Sequence, residues 1–166
     1  MKRVFISSTF SDMQSERDMI RSSVLPSIKD FFRKFGYDIS FTDLRWGISS
    51  ESIDSNVVMD KILSVCTREI SACRQHLIIL LGNRYGTVPN EVIMQKFLDA
   101  NKNISYEESK GKSITELEIL YALKKELNEG PIALTVCIRN SNVYDKMDVS
   151  SKNAFVGIGE DRIGKK

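Results

Sequence analysis

His76-Leu77-Ile78-Ile79-Leu80-Leu81, followed at once by Gly82-Asn83-Arg84-Tyr85-Gly86, is the stretch that decides the fold. A near-continuous apolar run of strand length, closed by turn residues, is the pattern of a central parallel strand covered on both faces. Upstream, Arg3-Val4-Phe5-Ile6 reads as a short buried strand ending in Ser7-Ser8-Thr9. Ser11-Asp12-Met13-Gln14 has capping-box spacing, with Ser11 as N-cap and Gln14 reaching back. Behind it Ile20, Val24, Ile28, Phe31 and Phe35 recur at helical period until Gly36, and Pro26 within that pattern predicts a kink or a two-piece helix. Tyr37 to Thr42 alternates as a second strand, and Asp43-Leu44-Arg45-Trp46-Gly47 follows as a loop. Asp54-Ser55-Asn56 caps a second helix carrying Val58, Ile62, Val65, Cys66 and Ile70.

Downstream of the central strand, residues 87–112 form an insertion with a small helix from Glu91 to Leu98. A third major helix runs from Ser113 to Asn128 and stops at Gly130-Pro131. Ile132 to Ile138 is a fourth strand. Residues 140–166 are polar, contain glycine and are weakly periodic: a loose tail, or an incomplete last element. Strands alternating with helices predict an α/β fold of three layers, a four- to five-stranded, mostly parallel sheet with helices on both faces, spanning residues 1–139. Ligands in such sheets bind beyond the carboxyl ends of the strands. That rule collects Ser7, Ser8, Thr9, Asp43, Arg45, Trp46, Asn83, Arg84, Tyr85 and Ser113 on one rim.

Composition narrows the function. The 166 residues are 42% hydrophobic and 28% charged, an ordinary balance for a folded domain. Lys+Arg 24 against Asp+Glu 22 gives +2, which argues against a strong electrostatic binder of nucleic acid or membrane. The longest apolar run, Leu77 to Leu81, is too short to span a bilayer, and Met1-Lys2-Arg3 leads into no signal-peptide core. Cys66, Cys73 and Cys137 form no metal-ligand spacing, so reduced thiols and a cytoplasmic location are expected. A single histidine, His76, argues against a zinc site or a Ser-His-Asp triad. Gly111-Lys112-Ser113 imitates the end of a phosphate-binding P-loop, but Tyr106 stands where the pattern needs glycine.

Ser113-Ile114-Thr115-Glu116 is a second capping box, which assigns Glu116 to the Ser113 backbone N–H. Glu118 has no such duty. On a helical wheel it falls with Ala122 and Lys125, outside the arc of Leu117, Leu120, Tyr121 and Leu127, and reads either as a solvated carboxylate or as a ligand group with room beside Ala122. Arg45 and Arg84 are placed to bind phosphate or a nearby carboxylate such as Asp43. Trp46, the only tryptophan, is a core residue or a stacking platform. The hydroxyls of Ser7-Ser8-Thr9 are equally able to bond their own backbone.

Val4-Phe5-Ile6-Ser7-Ser8-Thr9-Phe10-Ser11-Asp12-Met13 with Glu16-Arg17-Asp18 resembles the opening of a TIR-like (Toll/interleukin-1 receptor) family. This is a domain of unknown function typically found N-terminal to NACHT or other STAND-type ATPase modules, as in telomerase-associated protein and bacterial anti-phage proteins. Asp43-Leu44-Arg45-Trp46-Gly47, Leu81-Gly82-Asn83-Arg84-Tyr85-Gly86 and Ser113-Ile114-Thr115-Glu116-Leu117-Glu118-Ile119 match its other signatures in order, across residues 2–138. The resemblance implies a flavodoxin-like/TIR-like fold and a chain that is the N-terminal piece of a larger protein. It also implies self-association and partnership with ATPase and sensor modules.

Many TIR domains carry Ser-Trp-Cys-x-x-Glu-Leu at the third helix. Ser113 and Glu118-Ile119 match its ends, while Ile114 and Thr115 replace Trp and Cys. The resemblance therefore places Glu118, with Glu116 as second choice, on the glutamate that cleaves NAD in active TIR enzymes. It implies NAD as substrate, with no separate cofactor. Arg45 or Arg84 would hold the pyrophosphate, Trp46 or Tyr85 would stack on a ring, and the 87–112 insertion would serve as a lid. A non-catalytic assembly module and a nucleoside ribosyl-transfer enzyme are the other expectations.

Overall fold

Four strands form one all-parallel sheet in the order β2-β1-β3-β4: β1 Lys2–Ser8, β2 Ile39–Thr42, β3 His76–Leu81 and β4 Ala133–Ile138. The computed structural model describes residues 2–9, 12–43, 56–73 and 76–155. As the apolar run predicts, β3 is central, pairing Phe5 with Leu77 on one side and Leu77 with Leu134 on the other. The three-layer α/β arrangement is consistent with a flavodoxin-like/TIR-like fold.

Strand alternation sends successive side chains to opposite layers. Phe5, Leu77 and Ile79 pack against three helices: α3 (Asn56–Ala72), α4 (Glu91–Ala100) and α6 (Ile114–Glu129). There they join Ile62, Leu63, Cys66, Ile70, Phe97 and Leu117 in the main core. Ile6 and Leu80 point to the other layer and meet Met13 and Ile20. That layer is one helical rod in three pieces: α1 Gln14–Met19, a π-helical turn Ile20–Val24 and α2 Leu25–Arg33. The widened turn lies just ahead of Pro26, whose missing N–H and bulky ring cannot be accommodated in a regular α-helix. The expected two-piece helix is thus joined by a π turn. Its stripe outlasts the sheet: Phe31 and Phe35 are 55% and 63% exposed and pack on each other.

The helix begins at Gln14, with Met13 as N-cap and no side-chain cap, so the predicted box with Gln14 reaching back is not the one formed. Met13 instead holds a left-handed conformation, φ 61°, and the Asp12 carboxylate accepts its backbone N–H at 2.7 Å. Such a conformation in a buried non-glycine residue costs of order 1–3 kcal/mol and persists only where its surroundings impose it. Ser11, Asp54, Ser55, Arg45 and Trp46 lie outside the described residues.

The 87–112 segment is built into the molecule. Asn90 caps α4 by accepting the Ile93 N–H at 3.0 Å, and Ile93, Met94, Phe97, Leu98 and Ile104 are buried. A short α5 (Tyr106–Ser109) with a complete Ser105/Glu108 capping box follows. Beyond β4, a 3₁₀ turn (Ser141–Lys146) buries Tyr144, and α7 covers Val149–Phe155. Every residue of β4 is exposed, and no strand lies on its outer edge among the described residues.

Candidate active site

The carboxyl ends of β1, β2 and β3 and the start of α6 converge on two adjoining groups of polar side chains. The inner group is buried. Ser7 at the end of β1 donates its hydroxyl to the Glu118 carboxylate. Ser8 accepts from Arg17 Nε at 2.9 Å and also from Arg17 Nη2, while Arg17 Nη1 is ion-paired with Asp43 at the end of β2. Ser7, Ser8, Arg17, Asp43 and Glu118 are each 5% exposed or less. Two carboxylates and one guanidinium out of water are tolerable only with such mutual hydrogen bonding.

Cys66 of α3 closes the group from behind, its thiol bonded to Glu118. Burial pushes that thiol well up, and the Glu118 charge pushes it further, so Cys66 stays a neutral S–H donor. Burial pulls the Arg17 guanidinium down, opposed by Asp43 and Glu118. Thr9, 6% exposed, continues the strand end, and its Oγ1 has no hydrogen-bond partner among the described residues.

The outer group lies where α6 meets the loop after β3. Tyr85 donates to the Glu116 carboxylate, and its hydroxyl oxygen accepts the Ser113 backbone N–H at 3.3 Å. Lys112 forms an ion pair with Glu116. Burial, then Glu116, raises the Tyr85 hydroxyl to about 12. For Glu116, burial works against the charge, but Lys112 and Tyr85 overcome it and hold the carboxyl below its ordinary value. The capping box at Ser113 is therefore half made. Ser113 Oγ accepts the Glu116 N–H at 3.3 Å, but the Ser113 N–H goes to Tyr85 rather than to Glu116.

Two glycines let these elements close. A Cβ on Gly82 would lie 1.9 Å from Asp12 Oδ2, and one on Gly86 would lie 3.0 Å from Thr9 Cγ2 and 3.6 Å from Ser113 Cβ. Gly86 also holds φ 91°, a region that other residues enter with strain. The glycines of Gly82-Asn83-Arg84-Tyr85-Gly86 thus bring the β1 end, the β3 loop and α6 together. Asn83 and Arg84 are half-buried on that loop.

A third polar knot braces the same rim. Arg139, following β4, bonds Asp12 at 2.6 Å, Glu16 at 2.6 Å and Tyr144 at 3.1 Å. Burial opposes the Arg139 charge, yet Tyr144, Asp12 and Glu16 hold its pKa above the ordinary value.

The structure therefore brings Ser7, Ser8, Thr9, Asp43, Tyr85, Ser113, Glu116 and Glu118 to one end of the sheet. It corrects three expectations. Of the two readings of Glu118 the solvated one falls, since the residue is 4% exposed, while Leu127, placed on the apolar arc, is 82% exposed. Asp43 is ion-paired with Arg17. Glu116 faces outward to Lys112 and Tyr85 instead of back to its cap. Arg17, Arg139 and the role of Cys66 were not foreseen. One signal for Arg17 was available: extending the helical stripe back from Ile20 lands on Arg17 and then Met13, so a charge occupies a core position.

No solved structure matches the chain. It is 36% identical over 162 residues to telomerase protein component 1 of Mus musculus, covering 96% of this chain and 6% of that protein. Against a TPR repeat-containing protein of Dictyostelium discoideum it is 30% identical over 174 residues, covering 95% and 10%. Against NACHT and WD repeat domain-containing protein 2 of Homo sapiens it is 32% identical over 101 residues, covering 57% and 6%. The chain thus spans a tenth or less of the length of these relatives. A family model described as "Domain of unknown function (DUF4062)" matches residues 3–146, running past β4 to take in Arg139 and Tyr144, and with these relatives it shows that the chain belongs to the DUF4062 family.

Proposed function

We propose that this chain is a TIR-like effector domain of a STAND/NACHT-type protein, acting in immune or anti-phage defence, which cleaves the nicotinamide–ribose bond of NAD when oligomerised. The observation that carries the reading is the Glu118 carboxylate, fixed by Ser7 at the carboxyl end of the central strands where α6 begins. Relatives named for NACHT and WD repeats support its service beside an ATPase module of the same polypeptide.

The chemistry suits the groups present. Nicotinamide leaves as a neutral ring, taking the electron pair of the C1′–N bond, so its departure needs little general acid. The ribosyl group becomes oxocarbenium-like, and Glu118 stabilises that charge and holds a ribose hydroxyl. Water adds to C1′ and loses a proton, giving ADP-ribose, nicotinamide and H⁺. Arg45 or Arg84 binds the pyrophosphate, and Trp46 or Tyr85 stacks on a ring.

A second reading is a non-catalytic self-association module. The 4% exposure of Glu118 and the uncovered apolar strand β4 favour it. The deciding experiment measures NAD loss and nicotinamide release by the parent and Glu118→Gln, each as monomer and forcibly clustered. Turnover in the clustered parent that vanishes in Glu118→Gln supports catalysis. No turnover in either form supports the assembly module.

A further inference from the structure

Among the described residues Arg17 is the buried cation of the inner group, and the proposed reaction does not use it. It reaches Ser8 with Nε and Nη2 and Asp43 with Nη1, so its planar fork spans the ends of β1 and β2. Ser8 is the neighbour of Ser7, which holds Glu118. Among the described residues, Ser7 of β1, Arg17 of α1 and Cys66 of α3 face Glu118. Asp43, at the end of β2, faces Arg17. Serine and a neutral thiol supply hydrogen bonds but no charge. Among the described residues of the cluster, Arg17 is the positive group whose charge acts on both carboxylates, Asp43 and Glu118.

We infer that Arg17 is a positioning residue for Glu118: it fixes the Ser7-Ser8 strand end through Ser8, and with it the Ser7 hydroxyl that holds the Glu118 carboxylate at the reacting end of the sheet. This inference rests on the NAD-cleaving reading for its kinetic consequences but not for its electrostatic ones. A lysine in place of Arg17 keeps the charge and reaches either Ser8 or Asp43, but cannot fork to both. Methionine keeps the length and removes the charge.

The test uses the full chain and its Arg17→Lys, Arg17→Met and Asp43→Asn variants, clustered as above, with folding checked by circular dichroism. Two readouts are taken. The first is the pH profile of nicotinamide release, resolved into kcat and KM. Arg17→Met is expected to lower kcat on the order of 10²-fold with KM little changed, because a misplaced reacting group costs about that much. It should also move the acid limb to higher pH. Arg17→Lys should restore the acid limb while recovering only part of kcat. Asp43→Asn removes the competing carboxylate and should move the limb to lower pH.

The second readout is the carboxyl ¹³C signal of Glu118, identified by its loss in Glu118→Gln and followed through a pH titration. Its midpoint should rise by about one pH unit or more in Arg17→Met relative to the parent. An unmoved midpoint in folded Arg17→Met overturns the inference, as does a loss confined to KM. Should the parent release no nicotinamide in any form, the catalytic reading fails, and the ¹³C titration alone decides the role of Arg17. Should Arg17→Met not fold, Arg17→Lys and Asp43→Asn carry the same comparison, and unchanged kcat and midpoint in both overturn it.

Discussion

Glu116 and Glu118 stand two residues apart on one helix and live in different media. Each residue advances an α-helix by about 100°, so the two side chains leave α6 about 200° apart. Glu118 points inward to Ser7 and Cys66, and Glu116 points to the rim, where Lys112 and Tyr85 hold a side chain that is 36% exposed. The rim pair sits in high dielectric and can exchange its partner for water at little cost. The inner group cannot, because each buried charge depends on every hydrogen bond around it. Identical chemistry is thus split into a surface tether and a buried centre by position alone.

The largest effect expected from breaking this comparison is kinetic. Glu118→Gln should abolish nicotinamide release by the clustered chain, while Glu116→Gln should change it a few-fold at most. Equal loss in both variants would erase the distinction between centre and rim.

The same contrast exists for the apolar faces of α6. Leu117 is 0% exposed and Leu127 is 82% exposed. Leu117→Ala should destabilise the fold by about 2–5 kcal/mol in a urea titration, and Leu127→Ala by roughly 0.5 kcal/mol or less. Closing the gap between strand ends is the next test. Gly82→Ala would place a Cβ 1.9 Å from Asp12 Oδ2, forcing that carboxylate away, and should cost about 1–3 kcal/mol. A fully stable Gly82→Ala protein would mean that the β1–α1 loop is not held against β3 as described.

The smallest effect is a pH dependence belonging to the rim alone. Tyr85 titrates at about 12 in the folded chain against an ordinary 10.0. A folded value above the unfolded one means stability that is complete below pH 10 and is lost as pH rises toward 12. The urea midpoint of the parent should fall across that window, and in Tyr85→Phe the fall should be shallower. An identical slope in both proteins would remove Tyr85 from the rim network.

Layer order, the central strand and the Pro26 interruption were legible in the residues, since each follows from local period or backbone chemistry. The burial of Glu118 was not. A helical wheel ranks positions by the hydrophobicity of their neighbours, and α6 buries Glu118 and Ala122 while exposing Leu127. Cys66 read as core and is core, yet only the packing of α3 on α6 shows that its thiol meets a carboxylate. Arg139 and Tyr144 fell in or beside a segment read as polar tail, and they brace Asp12 and Glu16 across a sequence separation that no local pattern spans.

Alternation of apolar runs and helical stripes by itself determined a parallel α/β sheet, and turn chemistry determined which end of that sheet carries polar groups. Those properties are written in spacings of a few residues. Which acidic groups are buried, which side chains bond them and which glycine makes room were settled only by the tertiary structure. The reason is physical: a charge is stabilised in the interior by partners brought from β1, β2, α1 and α3 at once, and their meeting is a property of the packed sheet and not of any one segment.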